Sequence, residues 1–165
     1  MPKMRPGALA YPETSYTAAA LPDLSRPEER RRLSPAALKA LFKMVEHWGV
    51  RDEDARQLLR DMSNGTYYQL KQNPRNKTLD EDRLLRISYL IGIFKSLNIL
   101  YSQRLADQWM QLPNSNPIFA GRTPLDFAKG VALAARPPEA KPKAVALLQK
   151  LAQKLKTTPV LASGQ

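Results

Sequence analysis

Apolar residues in this chain recur with a helical period and nowhere with the alternating period of a strand, so the fold class reads as all-α. In "LSPAALKALFKMVEHWG", Leu38, Leu41, Phe42, Val45 and Trp48 fall on one face. Ser34 has N-cap chemistry, Pro35 suits a first helical position and Gly49 stands just past the end, which predicts a helix between them. "RDEDARQLLRDM" predicts a second, shorter helix with Asp52, Glu53 and Asp54 at its positive end. "SNGTYYQLKQ" predicts a third, capped by Ser63 and stopped by Asn73-Pro74. A longer fourth helix follows in "TLDEDRLLRISYLIGIFKSLNILY", with Asp80, Glu81 and Asp82 at its start and Ile87, Leu90, Ile91, Phe94 and Leu97 or Asn98 in its buried stripe. A fifth is expected from about Ser102 to Leu112.

"PNSNPIFAGRTP" has the composition of a loop, after which Thr123 caps and Pro124 opens a sixth helix reaching about Ala134. "ARPPEAKP" reads as a linker. "KAVALLQKLAQKL" reads as a last amphipathic helix, with Val145, Leu148, Leu151 and Leu155 on one side and lysines on the other. The final "KTTPVLASGQ" is expected to lack structure of its own. Residues 1–32, with scattered prolines and no period, read as a flexible arm, and "RPEERRR" at its end as a solvated charge run in preference to a first helical turn.

Charge and composition narrow the function. Lys and Arg outnumber Asp and Glu by 26 to 15, a formal net charge of +11. That excess favours an anionic partner: nucleic acid, an anionic membrane or an acidic protein. There is no cysteine and one histidine, His47, which excludes disulfides, thiol catalysis, Cys-type zinc sites and multi-His metal sites. No metal or cofactor is expected. No apolar stretch approaches the ~20 residues of a membrane span, and the N-terminus has no continuous apolar h-region. A cytoplasmic location is therefore expected. The acidic clusters sit at helix starts, where the helix dipole accounts for them, and His47 has no Ser or Asp partner at triad spacing. With no Gly-rich phosphate loop either, the chain does not read as an enzyme.

Two short helices in succession with polar residues opening the second fit a helix-turn-helix. The first would be Asp52–Arg60, the turn Asp61 and Met62, and the recognition helix Asn64–Gln72. In that geometry the start of the second helix meets base edges in the major groove. Ser63, Asn64, Thr66, Tyr67 and Tyr68 are candidates for base or phosphate contacts, and Lys71, Arg75 and Lys77 for the DNA backbone. A plain helical bundle with a short third helix fits the same pattern, with Tyr67 and Leu70 facing the core. A stand-alone transcriptional regulator and a helical adaptor both remain open on these residues alone.

The order "HWGVRDEDARQLLRDMSNGTYYQLK", "LDEDRLLRISYLIGIFKSL", "ADQWMQLPNSNPIFAGRTPLDF" resembles the Xre/MbcA/ParS antitoxin family over about Leu33 to Gly130. Its most specific part is Trp109, Pro113, Asn114, Phe119, Gly121, Pro124 and Leu125; the second is "DRLLRISYLIGI", Asp82 to Ile93. The resemblance implies an Xre-like helix-turn-helix bundle over 33–99, binding operator DNA and repressing its own operon. It further implies a helical toxin-binding domain with a C-terminal tail over 100–165. Its partner would be a RES-domain toxin that cleaves NAD or transfers ADP-ribose from it, and the antitoxin would act as a homo-dimer within the toxin–antitoxin complex. The toxin-facing candidates are Trp109, Asn114, Asn116, Phe119 and Arg122 around the loop, and Leu148, Leu151, Lys154 and Leu155 on the last helix. Two departures stand out. The glycine usual near the helix–helix turn is replaced by Arg60 or Asp61, which predicts a looser turn. The end after Gly130 differs from the Gly-containing, aromatic-rich end of the family.

Overall fold

A computed structural model describes residues 22–134, together with 146, 149–151 and 153. Among these residues there is no strand. The helices are α1 (Pro27–His47), α2 (Asp52–Leu58), α3 (Asn64–Gln72), α4 (Glu81–Leu100), α5 (Gln103–Gln108) and α6 (Pro124–Ala134). Two single 3-10 turns, Trp109–Gln111 and Pro117–Phe119, lie between α5 and α6. None of these helices is long and apolar enough to cross a membrane.

The expected arm yields one correction. α1 begins at Pro27, so "RPEERRR" is helix and Pro35 lies inside it. The first-position rule for proline misplaces the start because Pro27 satisfies it eight residues earlier, with Glu28 and Glu29 in the first turn. Ser34 consequently caps nothing. It is buried, its hydroxyl donates to the Arg30 carbonyl at 2.6 Å and accepts from the Leu79 backbone N–H at 2.9 Å. One hydroxyl thus fastens α1 to the segment that leads into α4.

The other end of α1 follows its sequence. Gly49 adopts φ +60°, and the Gly49 and Val50 N–H groups donate to the Glu46 and Val45 carbonyls. That pair of bonds satisfies the orphan carbonyls of the last turn, and glycine takes the left-handed position without strain. α1 and α4 then pack along each other. Leu38, Leu41, Val45 and Trp48 meet Ile87, Leu90, Ile93 and Leu97 in one core, and the Trp48 and Phe94 rings sit edge to face at 5.8 Å. The fifth helix is shorter than expected, because the backbone tightens into a 3-10 turn at Trp109.

α6 packs against α2, and the core continues through Ala106, Met110, Phe119, Leu125, Phe127, Val131 and Leu151. Thr123 caps α6 as its chemistry requires, its hydroxyl accepting from the Asp126 N–H at 3.1 Å.

Candidate nucleic-acid interface

α2 and α3 are joined by Leu59–Ser63, and both residues at the bend have positive φ: Arg60 at 60° and Asp61 at 52°. Left-handed backbone is costly for side chains other than glycine. It persists here because the bend is clamped from several directions. The Met62 N–H donates to the Arg56 carbonyl, and Arg56 Nε donates to the Met62 carbonyl at 2.8 Å. From α4, Arg83 Nε donates to the Leu59 carbonyl at 3.0 Å. Behind the bend, the Asp82 carboxylate accepts from Arg86 Nε at 2.8 Å and from Arg60 Nη1 at 3.4 Å. Arg86 is fully buried. The bend is therefore fixed by side chains rather than loosened by the missing glycine.

Ser63 caps α3, with its hydroxyl accepting from the Thr66 N–H at 3.3 Å and bonded to the Thr66 hydroxyl at 2.8 Å. Two contacts on Asp52 orient the helix. The Tyr67 hydroxyl donates to Asp52 Oδ1 at 3.0 Å and Lys71 Nζ to the same oxygen at 2.7 Å. Lys71 first, then Tyr67, hold the Asp52 carboxyl below the ordinary aspartate range against the opposing effect of burial. Burial, with the Asp52 bond, pushes the Tyr67 hydroxyl well above the ordinary tyrosine range. The Tyr67 ring is in the core, edge to face with Phe42 at 5.6 Å. Tyr67 is thus a fixture of the helix and is unavailable to a base edge, because the i, i+3 pair Tyr67 and Leu70 supplies the buried face.

The remaining candidates lie outward. Ser63, Asn64, Tyr68, Lys71, Arg75 and Lys77 are exposed, and Thr66 is half-buried. Gln69 and Gln72 are exposed on the same side and escaped the sequence reading. Their signal was present: Asn64, Tyr68 and Gln72 stand at i, i+4 and i+8, one row along the helix. Asn and Gln are side chains that can pair bidentately with adenine in the major groove, and Tyr, Lys and Arg can reach phosphates.

The segment between α5 and α6 is a second structured feature. Asn114 Oδ1 accepts from the Asn116 N–H, and Asn116 Oδ1 from the Ile118 N–H. Ala120 and Gly121 both have positive φ, 48° and 77°. Arg122 turns back, donating from Nε to the Phe119 carbonyl at 3.3 Å, with its guanidinium over the Phe127 ring. Trp109, Phe119 and Phe127 form an edge-to-face aromatic series beneath it. Phe119 is buried, as is Leu151, so these two expected partner contacts are core residues in this structure: the aromatic series and the core close over them. Trp109, Asn114 and Asn116 are half-buried and Arg122 is exposed. Leu148, Lys154 and Leu155 lie outside the described residues.

Residues 27–92 match the antitoxin Xre-like helix-turn-helix domain family, from the first residue of α1 to the middle of α4. The uncharacterized protein y4oB of Sinorhizobium fredii (strain NBRC 101917 / NGR234) is 31% identical over 103 residues, 62% of this chain and 77% of that protein. The chain belongs to one family with y4oB and carries the Xre-like helix-turn-helix domain. No solved structure matches it. Within the matched residues, α2, the clamped bend and α3 have the two-short-helix form expected of the motif, and α1 and α4 pack beside them. Domains of this family are generally not enzymes. Among the described residues no cluster of His, Asp or Glu could hold a metal ion.

Proposed function

We propose that this protein is the antitoxin of a type II toxin–antitoxin system. In this reading it binds operator DNA through α3 and represses its own operon, and its second half neutralises a RES-domain toxin that consumes NAD or transfers ADP-ribose. The observation that carries the reading is the match of residues 27–92 to an antitoxin helix-turn-helix family, on a helix whose exposed row is Asn64, Tyr68 and Gln72. The net charge of +11 supports an anionic ligand such as a duplex. The toxin-facing surface in this reading is the loop carrying Asn114, Asn116 and Arg122 beside Trp109. Its two positive-φ residues and paired Asn turns give it one defined shape. A homo-dimer would place two recognition helices on a repeated or palindromic site, as short single helices require for useful affinity. The protein acts in the cytoplasm in this account.

Co-expression with the adjacent open reading frame tests the proposal. The chain should copurify with the neighbour's product, restore growth and prevent NAD loss. A neighbour that is harmless when expressed alone, with DNA binding by this chain intact, would leave a stand-alone regulator instead.

A further inference from the structure

A cleft of about 430 Å³ runs between α1 and α4, and no residue of α3 lines it. Met44, Ile91 and Phe94 give it an apolar floor. Lys43 from α1 and Lys95 from α4, both exposed, line it, as does His47. No carboxylate lines the cleft. Neither lysine has a hydrogen bond or ion pair among the described residues. Asp107, 3.8 Å from His47 Nδ1, is already bonded by Gln103. One turn past Lys95, Ile99 is 78% exposed and extends the apolar surface.

We propose that this cleft is a docking site for an amphipathic, acidic helix of a partner protein. Its apolar side chains, spaced three and four residues apart, would cover Met44, Ile91 and Phe94, as helix-in-groove recognition requires. Its flanking Glu or Asp residues would meet Lys43 and Lys95. Charge complementarity selects this occupant over the others available. The chain's own flanking segments are cationic: residues 1–21 carry Lys3 and Arg5 against Glu13. Residues 135–165 carry Arg136, Lys141, Lys143, Lys150, Lys154 and Lys156 against Glu139. A second copy docked cleft to cleft would bring like-charged lysines together. A nucleic-acid backbone would satisfy the lysines and leave the apolar floor in water. The site is separate from the α3 row, so it could be filled while α3 is on DNA.

The test uses a labelled synthetic helix about four turns long, with leucines on one face and glutamates elsewhere. Its controls are a permuted peptide of the same composition and a leucine–lysine peptide. Fluorescence anisotropy with the full chain near physiological salt should show binding of the first peptide alone. The Lys43→Ala/Lys95→Ala variant should bind about tenfold more weakly, and an Arg31→Ala/Lys150→Ala control, also two exposed cations, should bind as the native chain does. Amide shifts should move at residues 40–47 and 91–98. Equal binding of the permuted peptide, unchanged binding by the Lys43/Lys95 variant, or shifts confined to other helices would overturn the proposal. So would light scattering that shows a dimer whose interface maps to this cleft, since the occupant would then be a second copy.

Discussion

Asp54 and Lys129 are 75 residues apart in the chain and 2.9 Å apart in space, joining α2 to α6. Arg51 holds the other Asp54 oxygen at 3.1 Å. Burial acts to raise the Asp54 carboxyl, but Lys129 and Arg51 together outweigh it and keep it below the ordinary range. Lys129 in turn is raised, first by Asp54. The sequence offers Asp54 as a helix-start acid. Its second role, tying α2 to the far half of the chain, depends on a partner no local pattern could supply.

Lys129→Met should lower unfolding free energy by about 1.5–3 kcal/mol, the range for hydrogen bonds to charged groups, with Arg51 moderating the loss. Denaturant melts check it. The same bonds set the acid limb. Asp52 and Asp54 are both depressed in the folded state, so they stabilise above the unfolded aspartate value near about 3.9 and lose that contribution as pH falls through their lower folded values. Stability should be level down to about pH 4 and fall below it, and Asp54→Asn should flatten that fall.

Asp82→Asn removes the one carboxylate shared by Arg60 and the fully buried Arg86. Leaving buried guanidinium charge uncompensated should cost about 3–5 kcal/mol. Melting should report this loss, and amide exchange should quicken first in the α2–α3 bend.

Ala120 and Gly121 make a matched pair of opposite sign. Ala120→Gly should stabilise by up to about 1 kcal/mol, because the exposed alanine already sits at φ 48° and a glycine carries no left-handed penalty there. Gly121→Ala should cost about 1 kcal/mol, and that cost is conformational, since an added Cβ would touch nothing within 4 Å. Thermal melts of the two variants should shift in opposite directions.

Tyr67→Phe should cost about 1 kcal/mol of stability through the lost Asp52 bond and leave DNA affinity nearly unchanged. Arg75→Ala should instead leave stability unchanged, weaken binding to all duplexes alike and reduce the salt slope by about one unit. Paired melts and salt titrations separate the two residues.

The helical class and the ends of α3, α4 and α6 were legible because caps and periodic apolar residues are local signals. Ser63, Asp80 and Thr123 each accept the N–H that their position predicts. The start of α1 was not legible, because Ser34 and Pro35 imitate a helix start while serving a tertiary bond to Leu79. Of the proposed DNA-facing residues, Ser63, Asn64 and Tyr68 are exposed, as a contact with DNA would need. Tyr67 stood both as a contact candidate and, with Leu70 at i+3, as a core residue; its burial settles that pair on the core face. Gln69 and Gln72 were missed because their signal lies in the spacing of the Asn64, Tyr68 and Gln72 row rather than in glutamine itself. The clamps on Arg60 and Asp61 come from α2 and α4, so the chain's substitute for a turn glycine could be found only in three dimensions.

The central claim is that the exposed row of α3 reads DNA. Its most direct test is fluorescence anisotropy on the duplex upstream of the chain's own gene, against a scrambled duplex, for the native chain and Asn64→Ala/Gln72→Ala. The account predicts that the native chain prefers its own duplex, with affinity falling steeply as salt rises. The double variant should lose about 1–3 kcal/mol per lost base contact on that duplex, retain its affinity for the scrambled one and melt as the native chain does. A double variant that binds the upstream duplex as tightly and as selectively as the native chain would contradict the account.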